Sequence, residues 1–171
     1  MSDFGVAQAK RLYNITLERV SAEDTVFHQR YDVVVLRHVI EHLNDPEPVL
    51  RNIRKSGLTE HGVLYMKCPD VGRADEKLEA YNSTFDLPRH RTHFTQDGMR
   101  MLLERCGFEH IAIFSELSPQ DGIRSHRYAT LGSCRSVNYA KLPIFAQHMV
   151  SALSTCMHPK RLVNRMIILA K

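Results

Sequence analysis

The chain has 171 residues, of which 43% are hydrophobic and 25% charged, a composition that indicates one globular domain with a real core and excludes a disordered chain. No apolar run approaches the roughly 20 residues of a membrane helix, and no basic segment followed by an apolar one opens the chain, so we expect neither a membrane span nor a signal peptide. The four cysteines (Cys68, Cys106, Cys134 and Cys156) form no C-x-x-C pair, which favours free thiols in a reducing cytoplasm over disulfides or zinc ligands.

The formal net charge of +4 is unevenly distributed. No acidic residue follows Asp121, whereas eight arginines and lysines do, so that 116–171 is a basic C-terminal part. Such asymmetry is compatible with nucleic acid, an anionic membrane surface, a phosphorylated substrate, or simply a solvated basic face. The basic part lacks interleaved aromatic residues and any recognisable nucleic-acid-binding module, and therefore we do not expect nucleic acid as the partner.

The first elements follow from apolar spacing. A helical pattern covers Phe4–Leu12 and Asn14 is a plausible stop, after which Ile15–Val20 alternates weakly, as in a short strand. The uninterrupted apolar run Val33–Leu36, rich in β-branched residues, predicts a strand that is buried on both faces.

The rest of the chain continues the alternation of helices and strands. Asp45 is a suitable N-cap for a helix that begins at Pro46, and Thr95 for a later helix that ends before Gly107. The region from residue 71 to 94 is irregular and polar. The predicted elements are helices at 46–56, 95–106 and 140–156 and strands at Gly62–Lys67, Phe108–Phe114 and Leu162–Ala170. This order predicts a three-layer α/β sandwich.

Four polar side chains stand directly after the apolar strand: Arg37, His38, Glu41 and His42. In open α/β sheets, the carboxyl ends of strands are where ligands bind. The segment His38-Val-Ile-Glu41-His42 also matches the inverted zinc-protease motif H-x-x-E-H. That motif requires a longer helix, and a β-branched run before it and Asn44-Asp-Pro after it leave no room for one. We therefore expect no metal.

The whole stretch Tyr31–Pro46, the loop Asp86-Leu-Pro-Arg-His-Arg-Thr-His-Phe-Thr95 and the segment Leu102–Phe108 together resemble class I S-adenosylmethionine-dependent methyltransferases. The branch most similar to the chain contains the ubiquinone-biosynthesis and sugar or polysaccharide O-methyltransferases. The resemblance covers roughly residues 4 to 115, with a looser tail to Lys171. It implies a Rossmann-like methyltransferase sandwich, mostly parallel, with an antiparallel C-terminal strand, and makes 1–171 a single partial domain.

The resemblance also implies a cofactor, S-adenosyl-L-methionine, and residues that bind it. Ala22, Glu23 and Asp24 match the loop that lies against the adenine. Arg37, His38 and Val39 match the segment that faces the methionine part of the cofactor and the incoming substrate. Glu41 and His42 match a Glu-His pair with a mainly structural role.

Catalysis in this family is an in-line displacement at the sulfonium methyl group, in which the protein chiefly positions the reactants. His90 and His93 lie on the loop that resembles the substrate-side lid, and either can accept a proton from a hydroxyl near neutral pH. His38, beside the same reactants, is the third catalytic candidate. The resemblance implies methyl transfer to a hydroxyl of a small molecule or glycan.

One family element has no counterpart in the chain. None of the eight glycines stand in the G-x-G pattern of the turn that approaches the cofactor. By this resemblance, we expect a domain that lacks its first two strands and begins just past the acid that binds the ribose, unless Asp3 replaces that acid.

Without the first strand, one edge of Tyr31–Leu36 stays unpaired, and an unpaired edge promotes association. A shorter sheet, a homodimer that covers the edge, and a poorly folding fragment are the outcomes expected. The alternative to an enzyme is a non-catalytic methyltransferase-like relic or partner subunit that acts through protein contacts.

Overall fold

The computed structural model describes residues 3–73, 85–117 and 163–171. Three α-helices lie in these ranges: α1 (Asp3–Tyr13), α2 (Pro46–Asn52) and α3 (Gln96–Arg105). The four strands are β1 (Tyr31–Arg37), β2 (Leu58–Pro69), β3 (Ala112–Leu117) and β4 (Val163–Ala170). The predicted helix at 140–156 lies outside the described residues, as do Cys134 and Cys156. No helix in the described part is long and apolar enough to span a membrane.

The four strands form one mixed sheet in the order β1-β2-β4-β3. β1 pairs with β2 in parallel, with Leu36 opposite Met66, whereas β4 runs antiparallel between β2 and β3. Because β4 opposes both of its neighbours, β1, β2 and β3 all point the same way. The predicted α/β class and antiparallel last strand are therefore confirmed.

The helix ends follow the predicted capping chemistry. The Asp45 side chain accepts a hydrogen bond from the backbone N–H of Glu47, 3.2 Å away, and Thr95 Oγ1 accepts one from the N–H of Gly98 at 3.1 Å. α2 runs on into one π-helical turn, Ile53–Gly57. Gly107 closes α3 with φ +89°, a conformation that favours glycine.

A core of apolar side chains lies between the sheet and the helices. β2 and β4 contribute residues with no exposed surface, and α2, its π-helical turn and α3 cover them. The central members are Leu50, Ile53, Leu58, Leu64, Met66, Met99, Leu103, Phe108, Met166 and Ile168. Cys68 and Cys106 are buried free thiols, as expected for these two cysteines.

Two predictions near the amino terminus are wrong in part. Residues Ile15–Val20 form no strand, because none of the described strands lies beside them to supply hydrogen-bond partners. β1 exists but is not buried on both faces: Val33 and Val35 are 58% and 57% exposed, whereas Leu36 is buried. The reason is that one face of β1 packs on the core while no described element covers the other; among the described strands, β1 also has a neighbour on one edge only.

Two further boundaries shift. β2 extends beyond the predicted Gly62–Lys67 at both ends, since β1 and β4 flank it and pair along most of its length. β3 begins at Ala112 and not at Phe108, because Phe108 turns into the core and its N–H donates to the carbonyl of Leu103.

Candidate active site

The candidate site lies at the carboxyl ends of β1 and β2. Directly after β1, His38 takes a left-handed conformation (φ +52°) while its backbone N–H still donates to the carbonyl of Lys67 on β2, at 2.9 Å. The chain then enters a short 3-10 turn, Ile40–His42, whose Ile40 side chain is fully buried in the core. This anchor fixes the position of the polar side chains on both sides of Ile40.

Glu41 is a buried carboxylate in this turn, with 1% of its surface exposed. Its Oε1 lies 3.1 Å from Nδ1 of His38. Its Oε2 is buried and has no hydrogen-bond partner among the described residues. A buried carboxylate oxygen that lacks a partner is costly, by about 1–3 kcal/mol or more.

A second loop, residues 85–94, is held against this turn by backbone contacts. The N–H groups of Arg91 and Thr92 both donate to the backbone carbonyl of Glu41, at 2.8 and 3.2 Å. Nδ1 of His42 lies 2.9 Å from the carbonyl of Arg89. These bonds bring the two predicted histidine segments, widely separated in sequence, into one place.

The histidines of the two loops are neighbours. The rings of His42 and His90 lie edge to face with centroids 5.0 Å apart, and those of His90 and His93 are 6.5 Å apart. Nε2 of His93 lies 3.0 Å from the carbonyl of Phe85. A carbonyl only accepts, so Nε2 carries the proton, and in the neutral ring the lone pair is on Nδ1. His93 thus keeps one basic nitrogen.

The predicted adenine loop is a 3-10 turn, Ala22–Asp24, that lies beside the same region. The Glu23 carboxylate accepts hydrogen bonds from the backbone N–H of Asn44 at 2.7 Å and from its side-chain amide at 3.2 Å. The backbone N–H holds the pKa of Glu23 below its ordinary value. Glu23 is therefore engaged, whereas the Asp24 carboxylate is exposed and forms no hydrogen bond or ion pair with another described residue.

The remaining predicted cofactor residues are more dispersed. Arg37 is exposed at the end of β1, and Val39 is half-buried against the core. Asp3 lies at the start of α1, where it pairs with Arg19, and none of its described contacts reach the two loops. The structure thus groups His38, His90 and His93 and leaves Asp3 apart from them.

Two buried carboxylates lie near the site: Asp70 was not predicted from the sequence, and Glu41 was expected to have a mainly structural role. Asp70, directly after β2, is fully buried, and its oxygens accept from the N–H of Gly72 and from Gln96 Nε2. Its only sequence signal is its place at the end of a strand.

The Cys68 thiol is not a nucleophile. Burial, with the carboxylates of Glu41 and Asp70 nearby, raises the pKa of this thiol well above its usual range.

Chemically, the site offers imidazole bases, a buried carboxylate and an exposed arginine around the carboxyl edge of a parallel strand pair. It contains no thiolate, and the described part holds no serine–histidine pair that could form a covalent intermediate. Such a set suits binding of a polar ligand and proton transfer near neutral pH.

Comparison with known proteins agrees with this architecture. A family model described as a methyltransferase domain matches residues 3–113. A comparison with curated protein sequences found no match. Among solved structures, a SAM-dependent methyltransferase from Archaeoglobus fulgidus matches with TM-score 0.57 and 15% identity over 99% of this chain and 73% of that chain.

Two further structures share the fold. A SAM-dependent methyltransferase from Thermotoga maritima matches with TM-score 0.59 and 12% identity, over 96% of this chain and 67% of that one. Phosphoethanolamine N-methyltransferase 2 from Haemonchus contortus, in complex with S-adenosyl-L-methionine, matches with TM-score 0.52 and 17% identity, over 87% of this chain. The alignment spans only 35% of the Haemonchus protein. The fold is thus the Rossmann-like α/β fold of these enzymes. Because the family model matches residues 3–113, most of the length of the chain, the chain belongs to the methyltransferase-domain family.

Proposed function

We propose that the chain acts as a methyltransferase that uses S-adenosyl-L-methionine as its cofactor. The observation that carries the proposal is the family match over residues 3–113, a range that contains both loops of the candidate site. The Haemonchus relative, solved with S-adenosyl-L-methionine, supports the choice of cofactor. When bound, the cofactor supplies an electrophilic methyl group on sulfonium sulfur.

The donor set on the β1 side fits such a cofactor. The unengaged carboxylate of Asp24 can accept hydrogen bonds from the adenine amino group, while Glu23 holds the loop in place through Asn44. The exposed guanidinium of Arg37 can pair with the carboxylate of the methionine part. Ala22 and Val39 provide apolar contacts, and Asp3 is the remaining candidate for the ribose. The sequence has no Gly-rich turn to face these groups.

On the acceptor side, we propose a hydroxyl group of a small molecule or glycan. An oxygen nucleophile gains from a base, and Nδ1 of His93 bears a lone pair when the ring is neutral. His90 is the second candidate base, although it is only 9% exposed. His38, whose Nδ1 faces Glu41, helps to position the acceptor beside the methyl group.

A thermal-shift titration of the full chain with S-adenosylmethionine, S-adenosylhomocysteine and adenosine tests this proposal. Both sulfur-containing ligands should raise the midpoint, since a ligand at about 100 times its Kd stabilises by roughly 2.7 kcal/mol. The variant Asp24→Asn should bind these ligands more weakly and show a smaller rise of the midpoint. Asp97→Asn, a substitution at an exposed position on α3, is its matched control. An unchanged midpoint at millimolar concentrations of both ligands would remove the enzyme function.

A second candidate function, a non-catalytic partner subunit, is favoured by the edge of β1. Val33 and Val35 are exposed on a strand that lies at the edge of the described sheet, and edges of this kind bind other strands. The occupant we propose is a second copy of this chain. Sedimentation velocity should then show a dimer that Val35→Lys dissociates, whereas a monomer at all concentrations contradicts the proposal.

A further inference from the structure

Glu41, His42 and His90 form a compact cluster where the two loops meet. One potential ligand atom from each residue lies within 4.8 Å of the others, and Glu41 and His90 are buried. We propose that this cluster is a binding site for a divalent transition-metal ion of the zinc class. This replaces the expectation of no metal, and it involves no protease chemistry.

The Glu41 carboxylate provides the first argument. Its Oε1 is engaged by His38 at 3.1 Å, whereas Oε2 is buried without a hydrogen-bond partner among the described residues. A charged oxygen in this situation is expensive unless a cation or a donor reaches it. With Oε2 as the ligand atom, a bound metal ion would give this oxygen a partner, while Oε1 keeps its contact with His38.

His42 provides the second argument through its tautomer. Nδ1 lies 2.9 Å from the carbonyl of Arg89, which only accepts, and therefore Nδ1 carries the proton. In the neutral ring the lone pair is then on Nε2. Histidines that bind metals usually donate their other ring N–H to a carbonyl or a carboxylate, which fixes the ring and raises its basicity. His42 has this arrangement already.

His90 completes the set. Its ring is buried against that of His42, and its Nε2 lies 3.8 Å from Oδ2 of Asp86. The same Asp86 oxygen is also paired with Arg89, so the attraction for a cation comes chiefly from the Glu41 carboxylate. The hydrogen bonds from Arg91 and Thr92 to the Glu41 carbonyl keep this loop in place, so the site is largely formed before a metal arrives.

Two imidazoles and one carboxylate make a ligand set typical of zinc sites that keep an open position, and other first-row divalent ions accept the same donors. Zinc ligands at about 2.0–2.1 Å from the metal lie roughly 3.4 Å from one another, so the ligand atoms, now within 4.8 Å, must approach one another by up to about 1.4 Å when a metal binds. Cys68 is buried, but it is not a member of the cluster.

A bound metal also bears on the proposed methyl transfer, and this part of the inference rests on that function. The open position can take an acceptor oxygen, and a metal lowers the pKa of a bound hydroxyl. His90 would then be a ligand and not a base, which leaves His93 as the proton acceptor.

The competing explanation is that the cluster only joins the two loops by hydrogen bonds. The variant His42→Asn distinguishes a metal site from a purely structural cluster. The amide of asparagine can replace Nδ1 as the donor to the Arg89 carbonyl, but it provides no equivalent of Nε2. Glu41→Gln keeps the side-chain volume and removes the charge. His93→Ala is the matched control, since His93 lies on the same loop but outside the cluster.

The experiment is calorimetric titration of the full chain with Zn²⁺, together with visible absorption spectra of the Co²⁺ form. We expect one site in the wild type, an affinity lower by about 100-fold in His42→Asn and Glu41→Gln, and little change in His93→Ala. Melting in EDTA checks that each variant folds. If a variant does not fold, the visible spectrum of the Co²⁺ form of the wild type decides whether the site exists. Tetrahedral coordination by imidazole and carboxylate gives intense bands, and their absence would count against the site.

Equal zinc affinity in all folded variants, or no binding by the wild type, overturns the metal site. S-adenosylhomocysteine affinity, measured in parallel, keeps the two proposals distinct. Zinc binding without binding of this ligand supports the metal site and removes the methyltransferase function, whereas the reverse result removes the metal site alone.

Discussion

Replacing Ile40 by alanine tests whether the candidate site is anchored in the core. The Ile40 side chain has no exposed surface and stands between His38 and Glu41. Truncating a fully buried isoleucine to alanine costs about 2–5 kcal/mol, and we expect about 3–4 kcal/mol since Ile40 packs within the central cluster. That is a large part of the roughly 5–15 kcal/mol by which domains are stable.

Urea unfolding measures this loss directly. With a slope of about 1–3 kcal/mol per molar urea, the midpoint should fall by about 2 M at an unchanged slope. Val26→Ala is the control, because Val26 is 68% exposed and its truncation should cost within about 0.5 kcal/mol. A loss below about 1 kcal/mol for Ile40→Ala would refute the reasoning, because the turn would then not depend on its buried anchor.

Two further predictions concern ionisable groups. Burial is the largest cause that raises the pKa of the Cys68 thiol, and the same holds for Cys106. Both thiols should therefore resist alkylation at pH 8 in the folded chain and react in urea. Rapid labelling of either cysteine in the native chain, assigned by peptide mapping, would contradict their burial. The backbone N–H of Asn44 lowers the pKa of Glu23 in the folded state, so the ionised carboxylate stabilises the fold. This stabilisation is present above the unfolded pKa of about 4.3 and is lost as the pH falls through the lower pKa of the folded state. Glu23→Gln should flatten the pH dependence of the unfolding midpoint between about pH 5 and 3, and an unchanged slope would argue against the Asn44 contact.

Local signals in the sequence were sufficient for the helices. The caps Asp45 and Thr95 and the left-handed residues Asn14 and Gly107 act through their own backbone and near neighbours, and the structure has all four where the sequence indicates them. Such features depend on a few consecutive residues, and for this reason they can be predicted without knowledge of the fold.

The strands were less predictable because their burial depends on distant segments. Val33 and Val35 are as apolar as a central strand requires, yet they are exposed, because no described element covers the face of β1 on which they lie. Ile15–Val20 has a strand-like alternation but no partner in the described sheet. β-propensity describes the fit to a sheet, and the sheet itself is a property of the whole chain.

The candidate site was predictable in its parts but not in its assembly. His38, His42, His90 and His93 stand out in the sequence. Nothing local indicates that the Glu41 carbonyl binds the second loop, or that Oε2 of Glu41 has no hydrogen-bond partner in the described part of the chain. These properties arise from contacts between residues about 50 positions apart, and they are what turns four histidines into a candidate active site.

The most direct test of the account is isothermal titration of the full chain with S-adenosylhomocysteine, compared with the Asp24→Asn variant. The account predicts heat from a single site in the wild type and an affinity about 10- to 150-fold lower in the variant, since the loss of one charged hydrogen bond costs about 1.5–3 kcal/mol. The Asp97→Asn control should bind like the wild type. Absence of heat with the wild type at millimolar ligand would contradict the central claim that the carboxyl edge of β1 binds the methyl donor.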